Sequence, residues 1–267
     1  MQTRLLISER KSAALAAAMF LLVASLAAGE PTSLAPATNS LSAKLGAAPA
    51  VMGFGAPTNI AQVKALEKRI QQVVEAVTPG IVAVGTGASG VVVSSDGFVL
   101  SAAHVGRRAG RNLSFTFPDG RRVRGVTLGN CRDLDTGLMK ITDPGPWPHV
   151  EMGRSGDLKT GQWCLALSYP LRFDHGKAPV VRVGRVLRLS SMAVVTDCTI
   201  MGGDSGGPLF DLEGKVIGIS NTCDTSLVLN RHVPVDRFRE VWDRLAQGED
   251  FNSRSNSMTS GPRTSGN

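Results

Sequence analysis

A single serine lies within a glycine-rich run of the chain. Residues 201–209 have the sequence Met-Gly-Gly-Asp-Ser-Gly-Gly-Pro-Leu, so the pair Asp204–Ser205 has two glycines on each side. Glycine allows positive φ angles and lets a substrate approach the backbone closely. Such a run can expose the Ser205 hydroxyl and point the amides of Gly203 and Ser205 at one spot. These features favour acyl transfer by a nucleophile beside an oxyanion hole.

Ser205 would need a general base, and the chain has only four histidines. His104 ends an apolar, strand-like segment that runs into small residues, which let an imidazole lie close to neighbouring backbone. The other three, His149, His175 and His232, lie in loop-like or late-strand contexts without this feature. We therefore predict that His104 is the base.

The base in turn needs a carboxylate to orient it, and one downstream segment offers two. Asp135 directly precedes an apolar strand-like run, so it can be held and partly desolvated at a strand edge. Asp133 lies further out, in a position typical of a solvated turn residue. We predict that Asp135 is the carboxylate. His104 would take the proton of Ser205 and return it to the leaving amine, while Asp135 fixes the imidazole tautomer.

Short β-branched runs separated by turn sequences such as Asp-Gly must position these residues. Many short strands without regular intervening helices favour a sandwich or a barrel. About 155 residues, from 81 to 235, suffice for two small barrels with a cleft between them. The runs are 81–84, 91–93, 98–100, 113–117, 123–128, 138–141, 164–167, 180–189, 192–196 and 216–219.

Two helices are predicted to flank the strands. Apolar residues recur every three or four positions from Ile60 to Val77, which indicates an amphipathic helix that ends at Thr78-Pro79-Gly80. Its apolar stripe would pack on its own domain, although an oligomer contact through residues 60–77 would use the same pattern. A closing helix is predicted over residues 235–245.

The two ends of the chain differ in composition from this middle part. Residues 1–29 combine a basic start, an apolar run and a small-residue exit, the pattern of a secretory signal peptide, with an uncleaved membrane anchor as the alternative. Either way, the remainder would be exported. Residues 30–58 have the composition of a disordered linker and residues 247–267 that of a disordered tail. This leaves residues 59–246 as the folded domain.

Charge and cysteine content argue against several other kinds of protein. The net charge of +7 comes partly from scattered arginine clusters that are not interleaved with aromatic residues, so we predict no nucleic-acid binding. No CxxC pair or cysteine–histidine cluster is present, so we predict no metal and no cofactor. An exported chain is allowed disulfides, but the sequence does not select a pairing, and buried free thiols are the alternative. The four cysteines are Cys131, Cys164, Cys198 and Cys223.

Three segments, in this order, resemble the chymotrypsin-fold (trypsin-like) serine proteases, and above all their HtrA/Deg branch. They are residues 89–105 leading to His104, residues 135–141 beginning with Asp135, and residues 196–207 around Ser205; residues 214–220 resemble the strand that follows. The resemblance implies an all-β fold of two six-stranded β-barrels with an N-terminal amphipathic helix and a C-terminal helix. It also implies a His104–Asp135–Ser205 triad and an oxyanion hole formed by Gly203 and Ser205.

Two departures from the HtrA/Deg pattern and one residue of the specificity pocket affect what is expected of this chain. Asp204 stands where that branch commonly has asparagine and follows the digestive proteases instead. The 22 residues after Leu245 leave no room for a PDZ domain, so control by such a domain is not expected. In this fold, the residue six positions before the serine lies at the base of the primary specificity pocket, and here it is Thr199. Without a carboxylate there, we expect cleavage after small or medium apolar residues.

The sequence thus predicts a periplasmic or secreted serine endopeptidase, with the N-terminal segment as an optional membrane anchor. Its partners would be unfolded or exported polypeptides, in envelope protein quality control or processing. The segment 203–207 also fits the G-x-S-x-G elbow of α/β-hydrolases, but that fold needs a later histidine and alternating helices. A catalytically silent binding module of the protease fold is the other alternative, and the presence of all three triad residues argues against it.

Overall fold

The computed structural model describes residues 40–48, 55–171, 178–223 and 229–253, except for the side chains of Thr222 and Cys223. The predicted signal segment, most of the predicted linker, His175 and the end of the predicted tail lie outside these ranges. Among the described residues, no helix is both long enough and apolar enough to cross a membrane.

Helix α1 (Ile60–Val77) has the bounds that its apolar periodicity predicts. The side chain of Asn59 caps it by accepting a hydrogen bond from the amide of Gln62 at 2.9 Å. Residues on its inner face are buried against the rest of the domain, namely Leu66, Arg69, Val73 and Val77. Ile60 and Val63 remain exposed at its start. The stripe therefore packs mainly on its own domain, and an oligomer contact through this helix stays a prediction.

Six antiparallel strands close into the first barrel because β5 and β6, at the two ends of the sheet, also pair with each other. The strands are β1 (Ile81–Val84), β2 (Ala88–Val92), β3 (Phe98–Ala102), β4 (Asn112–Thr116), β5 (Arg122–Cys131) and β6 (Thr136–Ile141). A single turn of helix, α2 (Ala103–Gly106), follows β3 directly. The residues predicted as base and carboxylate both come from this barrel.

The second barrel is also closed and six-stranded, so the predicted two-barrel fold is confirmed. Its strands are β7 (Trp163–Ser168), β8 (Val180–Leu189), β9 (Val194–Thr196), β10 (Pro208–Phe210), β11 (Val216–Cys223) and β12 (Asn230–Pro234). Strands β10 and β12 do not stand out in the sequence, because β10 is only three residues long and β12 mixes polar and apolar residues without regular alternation. Ser205 lies in the connection between β9 and β10.

Apolar side chains fill each barrel and the layer between them. All four residues of β1 are buried. Val82 and Val84 belong to the core of the first barrel, whereas Ile81 belongs to a cluster that also contains Leu165 and Leu167 of β7. A strand buried on both faces has a continuous apolar sequence, which is why this strand does not alternate. Burial in the shared layer holds the two barrels together, so residues from both can form one site.

The end of the domain differs from the single closing helix that the sequence predicts. Two short helices, α3 (Val235–Glu240) and α4 (Trp242–Ala246), are separated at Val241. Phe238 and Leu245 are nevertheless both buried against the barrels. After α4 the chain forms a short strand, β13 (Asp250–Phe251), which pairs in parallel with β5. Residues 247–253 are thus ordered where the composition predicts a disordered tail.

Residues 40–48, which the composition assigns to a disordered linker, lie against the barrels. The hydroxyl of Ser42 is buried and donates to the carbonyl of Gly214 at 2.6 Å. The buried side chain of Arg69 donates to the carbonyls of Leu45 and Gly46 at 2.9 and 2.7 Å. These hydrogen bonds join residues far apart in the chain, so the composition of residues 30–58 cannot reveal them.

Three cysteines are buried free thiols, namely Cys131, Cys164 and Cys198. In the second barrel, the sulfur atoms of Cys164 and Cys198 lie 3.9 Å apart, well beyond the disulfide bond length of about 2.05 Å. Burial raises the pKa of the Cys131 thiol to about 11, which keeps it protonated and unreactive. The pairing that the sequence leaves open is therefore absent among these three described thiols.

Candidate active site

Ser205 lies where the two barrels come into contact. Its carbonyl accepts a hydrogen bond from the amide of Ser89, on β2 of the first barrel, at 2.9 Å. The next residue, Gly206, has a φ of +85°. A Cβ atom on Gly206 would collide with the carbonyl of Ser89 and the hydroxyl of Ser101. Only glycine allows the two barrels to approach this closely beside Ser205.

His104 and Asp135 lie together at one end of the first barrel. His104 Nδ1 is 3.1 Å from Asp135 Oδ1 and 3.0 Å from Oδ2, and Oδ1 also accepts a hydrogen bond from the backbone amide of His104 at 3.0 Å. The carbonyl of Asp135 accepts from the amide of Ala103 at 3.1 Å. Asp135 therefore fixes both the imidazole and the first turn of α2. It does so with a φ of +53°, a conformation that aspartate tolerates better than most residues.

The imidazole of His104 is accessible on the side away from Asp135, since its side chain is 50% exposed. The structure describes no hydrogen bond between the Ser205 hydroxyl and His104. Such contacts are often long in unliganded enzymes and shorten when substrate binds. The structure thus brings the predicted base and carboxylate into contact, and places the predicted nucleophile on the adjoining edge of the second barrel.

The hydrogen bond that the Asp135 carboxylate accepts from His104 Nδ1 raises the pKa of His104 above its ordinary value of 6.5, while partial burial acts in the opposite direction. A general base must be neutral, so a raised pKa moves the onset of activity to higher pH. We expect kcat/KM for peptide hydrolysis to rise with pH along a limb whose apparent pKa lies above 6.5. A pH–rate profile with a fluorogenic peptide measures this limb, and a midpoint below 6.5 would contradict the expectation.

The backbone around Ser205 is fixed through its carbonyl groups. The carbonyl of Gly202 accepts from the amide of Leu171 at 2.7 Å, and that of Gly203 accepts from the hydroxyl of Ser89 at 3.0 Å. In a planar trans peptide, the N–H points opposite to the C=O, so the amide of Gly203 faces away from Leu171. Within the described ranges, the amides of Gly203 and Ser205 donate to no protein acceptor. These two donors are available for an oxyanion.

Ser89 is a supporting residue that the sequence does not reveal. Its buried hydroxyl accepts from the amide of Tyr169 at 2.9 Å while donating to the carbonyl of Gly203. Its own carbonyl accepts from the hydroxyl of Ser101 at 2.9 Å. The sequence marks Ser89 only as a small polar residue beside apolar ones, and the structure shows that its strand is buried throughout. Ser89 thus connects the first barrel to the turn of the proposed oxyanion hole, at Gly203, and to the end of β7, at Tyr169.

Replacement of Ser89 by alanine should lower kcat about tenfold with little change in KM. The carbonyl of Gly203 and the amide of Tyr169 would lose their partner, and an unsatisfied buried group costs about 1–3 kcal/mol, enough to shift the Gly203–Asp204 peptide, which lies between the two donor amides. Steady-state kinetics on a peptide substrate test this. Thr78→Ala is the matched control, because its hydroxyl also donates to a carbonyl, that of Val74, at the end of α1. Equal losses in both variants would contradict the assignment.

Thr199, predicted at the base of the specificity pocket, is half-buried after β9. The residues on both sides of it are held in place: the amide of Cys198 donates to Thr196 Oγ1 at 3.2 Å, and that of Ile200 donates to Asn230 Oδ1 at 2.8 Å. Asn230 therefore supports this segment, and nothing in its local sequence context predicts that role. Contact of Thr199 with substrate stays a prediction.

The aspartate and the histidines that the sequence analysis set aside as carboxylate and base have other environments. The Asp133 carboxylate accepts hydrogen bonds from the amide and hydroxyl of Ser253, at 2.8 and 2.5 Å, rather than from His104. His149 and His232 are buried, and burial lowers the pKa of His232 to about 3, so that it stays neutral. The part of the chain that the structure describes contains no cluster of His, Cys, Asp and Glu suited to a metal ion.

Comparison with known proteins identifies the family to which the two-barrel domain is similar. Residues 88–219 match the model of the trypsin-like peptidase domain, and this stretch includes His104, Asp135 and Ser205. The chain contains a trypsin-like peptidase domain. The matched stretch begins at β2 and ends within β11, so it includes most strands of both barrels and the junction between them.

Proteins similar to this peptidase domain include DegP-like proteins and an HtrA-type protease. A probable periplasmic serine endoprotease DegP-like protein of Halomonas elongata is 33% identical over 165 residues, which are 59% of this chain and 34% of that protein. One of Ectopseudomonas mendocina is 35% identical over the same shares. The solved HtrA-type protease AlgW with tripeptide has 26% identity and a TM-score of 0.58 over 66% of this chain and 62% of that chain. The chain spans about a third of the length of these curated relatives.

Proposed function

We propose that this chain is a serine endopeptidase that hydrolyses peptide bonds through an acyl-enzyme on Ser205. The observation on which this depends is the contact of His104 Nδ1 with the Asp135 carboxylate at 3.0 Å, on the barrel edge that adjoins Ser205. That contact leaves Nε2 of the imidazole for Ser205 and gives His104 the character of an oriented base. Membership of the trypsin-like peptidase domain supports the same assignment.

The proposed reaction starts with proton transfer from Ser205 Oγ to Nε2 of His104 as Oγ attacks the substrate carbonyl carbon. Asp135 keeps the proton of the neutral imidazole on Nδ1 and stabilises the imidazolium that forms. The carbonyl oxygen becomes an oxyanion, which the amides of Gly203 and Ser205 stabilise. One such donor is worth roughly 3–4 kcal/mol of transition-state stabilisation.

Collapse of the tetrahedral intermediate breaks the peptide C–N bond and leaves the acyl group on Ser205. The imidazolium of His104 gives its proton to the departing amine, so the base acts as the acid in this step. Water then enters and loses a proton to His104 while it attacks the acyl carbonyl. A second tetrahedral intermediate releases the carboxylic acid product, and the proton returns to Ser205.

The substrates that we propose are unfolded or exported polypeptides, with cleavage after small or medium apolar residues because Thr199 provides no negative charge. The proposed setting is the periplasm or another exported compartment, in protein quality control or processing. The names of the relatives, which call them periplasmic, support that location. Profiling of a peptide library tests the specificity, and dominant cleavage after arginine or lysine would overturn it.

A fluorophosphonate probe tests the proposed activity directly, because it reacts only with a serine activated by a neighbouring base. We expect stoichiometric labelling of the native chain, with mass spectrometry locating the adduct on the peptide that contains Ser205. Heat-denatured protein is the control and should remain unlabelled. Failure of the native chain to react would favour a catalytically silent binding module, and an adduct on another serine would overturn the assignment of the nucleophile.

A further inference from the structure

The residue before Ser205 is a deeply buried carboxylate. The side chain of Asp204 is 1% exposed, and carboxylates are seldom this buried unless they are paired. Arg182 Nη2 lies 3.0 Å from Asp204 Oδ2. The hydroxyl of Ser168 donates to Oδ1 at 2.7 Å, and the amide of Met201 donates to Oδ2 at 2.6 Å. One cation and two neutral donors therefore surround this charge.

Arg182 approaches the carboxylate from the inner face of β8. Its side chain is only 14% exposed, whereas Val181 and Val183 on either side of it are 36% and 45% exposed. A strand that turns valines outward and an arginine inward loses hydrophobic burial. The buried guanidinium is satisfied there by the ion pair with Asp204 and by a hydrogen bond from Nη1 to Ser168 Oγ at 3.1 Å.

The same carboxylate closes the turn that contains Gly203. Asp204 Oδ2 accepts from the amide of Met201, while the amide of Asp204 donates to the carbonyl of Met201 at 3.1 Å. Gly203 lies inside this turn with a φ of +95°. A buried ion pair that fixes the rotamer of Asp204 therefore also fixes the turn, and with it the direction of the Gly203 amide.

We infer that Arg182 is a positioning residue for the oxyanion hole. Through Asp204, its guanidinium holds the turn from Met201 to Ser205 in the conformation that directs the amides of Gly203 and Ser205 at one point. Arg182 contacts neither the substrate nor the nucleophile in this role. The inference rests on the proposed endopeptidase activity and adds the residue that keeps its oxyanion hole formed.

Three variants test the charge pairing, all in the full-length chain. Arg182→Gln leaves Asp204 as an unpaired buried carboxylate, and Asp204→Asn leaves Arg182 as an unpaired cation; removal of one partner of a buried pair is strongly unfavourable. We expect kcat for a fluorogenic peptide to fall about 10- to 100-fold in each, with KM within about threefold. The double variant Arg182→Gln/Asp204→Asn replaces the ions by two amides that can hydrogen-bond to each other. Its kcat should exceed that of Asp204→Asn at least fivefold.

A transition-state analogue separates positioning from mere structural support. A peptide aldehyde ending in valine adds to Ser205 Oγ, the hydroxyl proton passes to His104, and the hemiacetal oxygen occupies the oxyanion hole. Its affinity should fall in parallel with kcat in Arg182→Gln, because both report on the same donors. A role in stability alone would lower the melting temperature while leaving kcat and aldehyde affinity, both corrected for the folded fraction, unchanged.

Arg188→Gln is the matched control, since Arg188 is an exposed arginine on the same strand; it should keep kcat within about twofold.

If the wild-type chain reacts with neither the peptide nor the fluorophosphonate, the proposed function itself fails. If the wild type is active and Arg182→Gln has an equal kcat, only the inference fails. If Arg182→Gln does not fold, the comparison of Asp204→Asn with the double variant decides, and a double variant no more active than Asp204→Asn overturns the inference.

Discussion

Ser205→Ala is expected to lower kcat for peptide hydrolysis about 10⁶-fold, as large a loss as removal of the base would cause. The methyl group cannot form the acyl-enzyme, so the two-step route through Ser205 is closed. The amides of Gly203 and Ser205 would remain in place and could still stabilise an oxyanion formed by direct attack of water. A residual rate of roughly 10³–10⁴ over the uncatalysed reaction is therefore expected. Hydrolysis of a fluorogenic peptide at high enzyme concentration measures both the loss of kcat and the residual rate.

The fold should survive this change, because the main-chain hydrogen bonds of Ser205 do not involve its hydroxyl. Ser191→Ala is a matched control, since Ser191 is an exposed serine in the turn between β8 and β9; its kcat should equal that of the wild type. A Ser205→Ala variant that keeps more than about one per cent of wild-type kcat would show that another residue is the nucleophile.

Asp135→Asn should lower kcat about 10⁴-fold through the tautomer of His104. Asp135 Oδ1 accepts from the backbone amide of His104 and Oδ2 lies 3.0 Å from Nδ1. If the asparagine carbonyl oxygen keeps the hydrogen bond from the backbone amide of His104, the asparagine NH₂ group lies beside Nδ1. That group can only donate, so Nδ1 becomes an acceptor and the proton moves to Nε2. An imidazole with its proton on Nε2 cannot accept the proton of Ser205.

The same substitution removes the charge that stabilises the imidazolium, so the pKa of His104 should fall. Peptide kinetics measure the loss, and NMR titration of His104 measures the pKa in both proteins. Asp133→Asn is the control, because its carboxylate contacts Ser253 and Cys131 rather than His104; its kcat should change less than about threefold. A tenfold or smaller loss in Asp135→Asn, or an unchanged pKa of His104, would contradict the orienting role.

The sequence predicts those elements whose residues are apolar in a local pattern. Helix α1 and strands β1 and β8 have the bounds that the sequence predicts, since each is a long or unbroken pattern of apolar residues. Strand β10 is missed because three residues carry no periodicity, and its hydrogen bonds come from β7 and β11. Strand β13 is missed because two residues carry no periodicity and its partner strand, β5, lies more than a hundred residues earlier.

The sequence by itself also determined the chemistry that can be proposed, because a nucleophile, a base and a carboxylate are marked by their own local contexts. Only the tertiary structure decided what supports them. Ser89, Ser168 and Arg182 act on the Ser205 turn from distant strands. Strand β8 illustrates the physical reason: Arg182 lies between Val181 and Val183, and local preference would place the valines inward. The buried charge of Asp204 requires a cation, so Arg182 faces inward instead and pairs with Asp204 in the glycine-rich turn that contains Ser205.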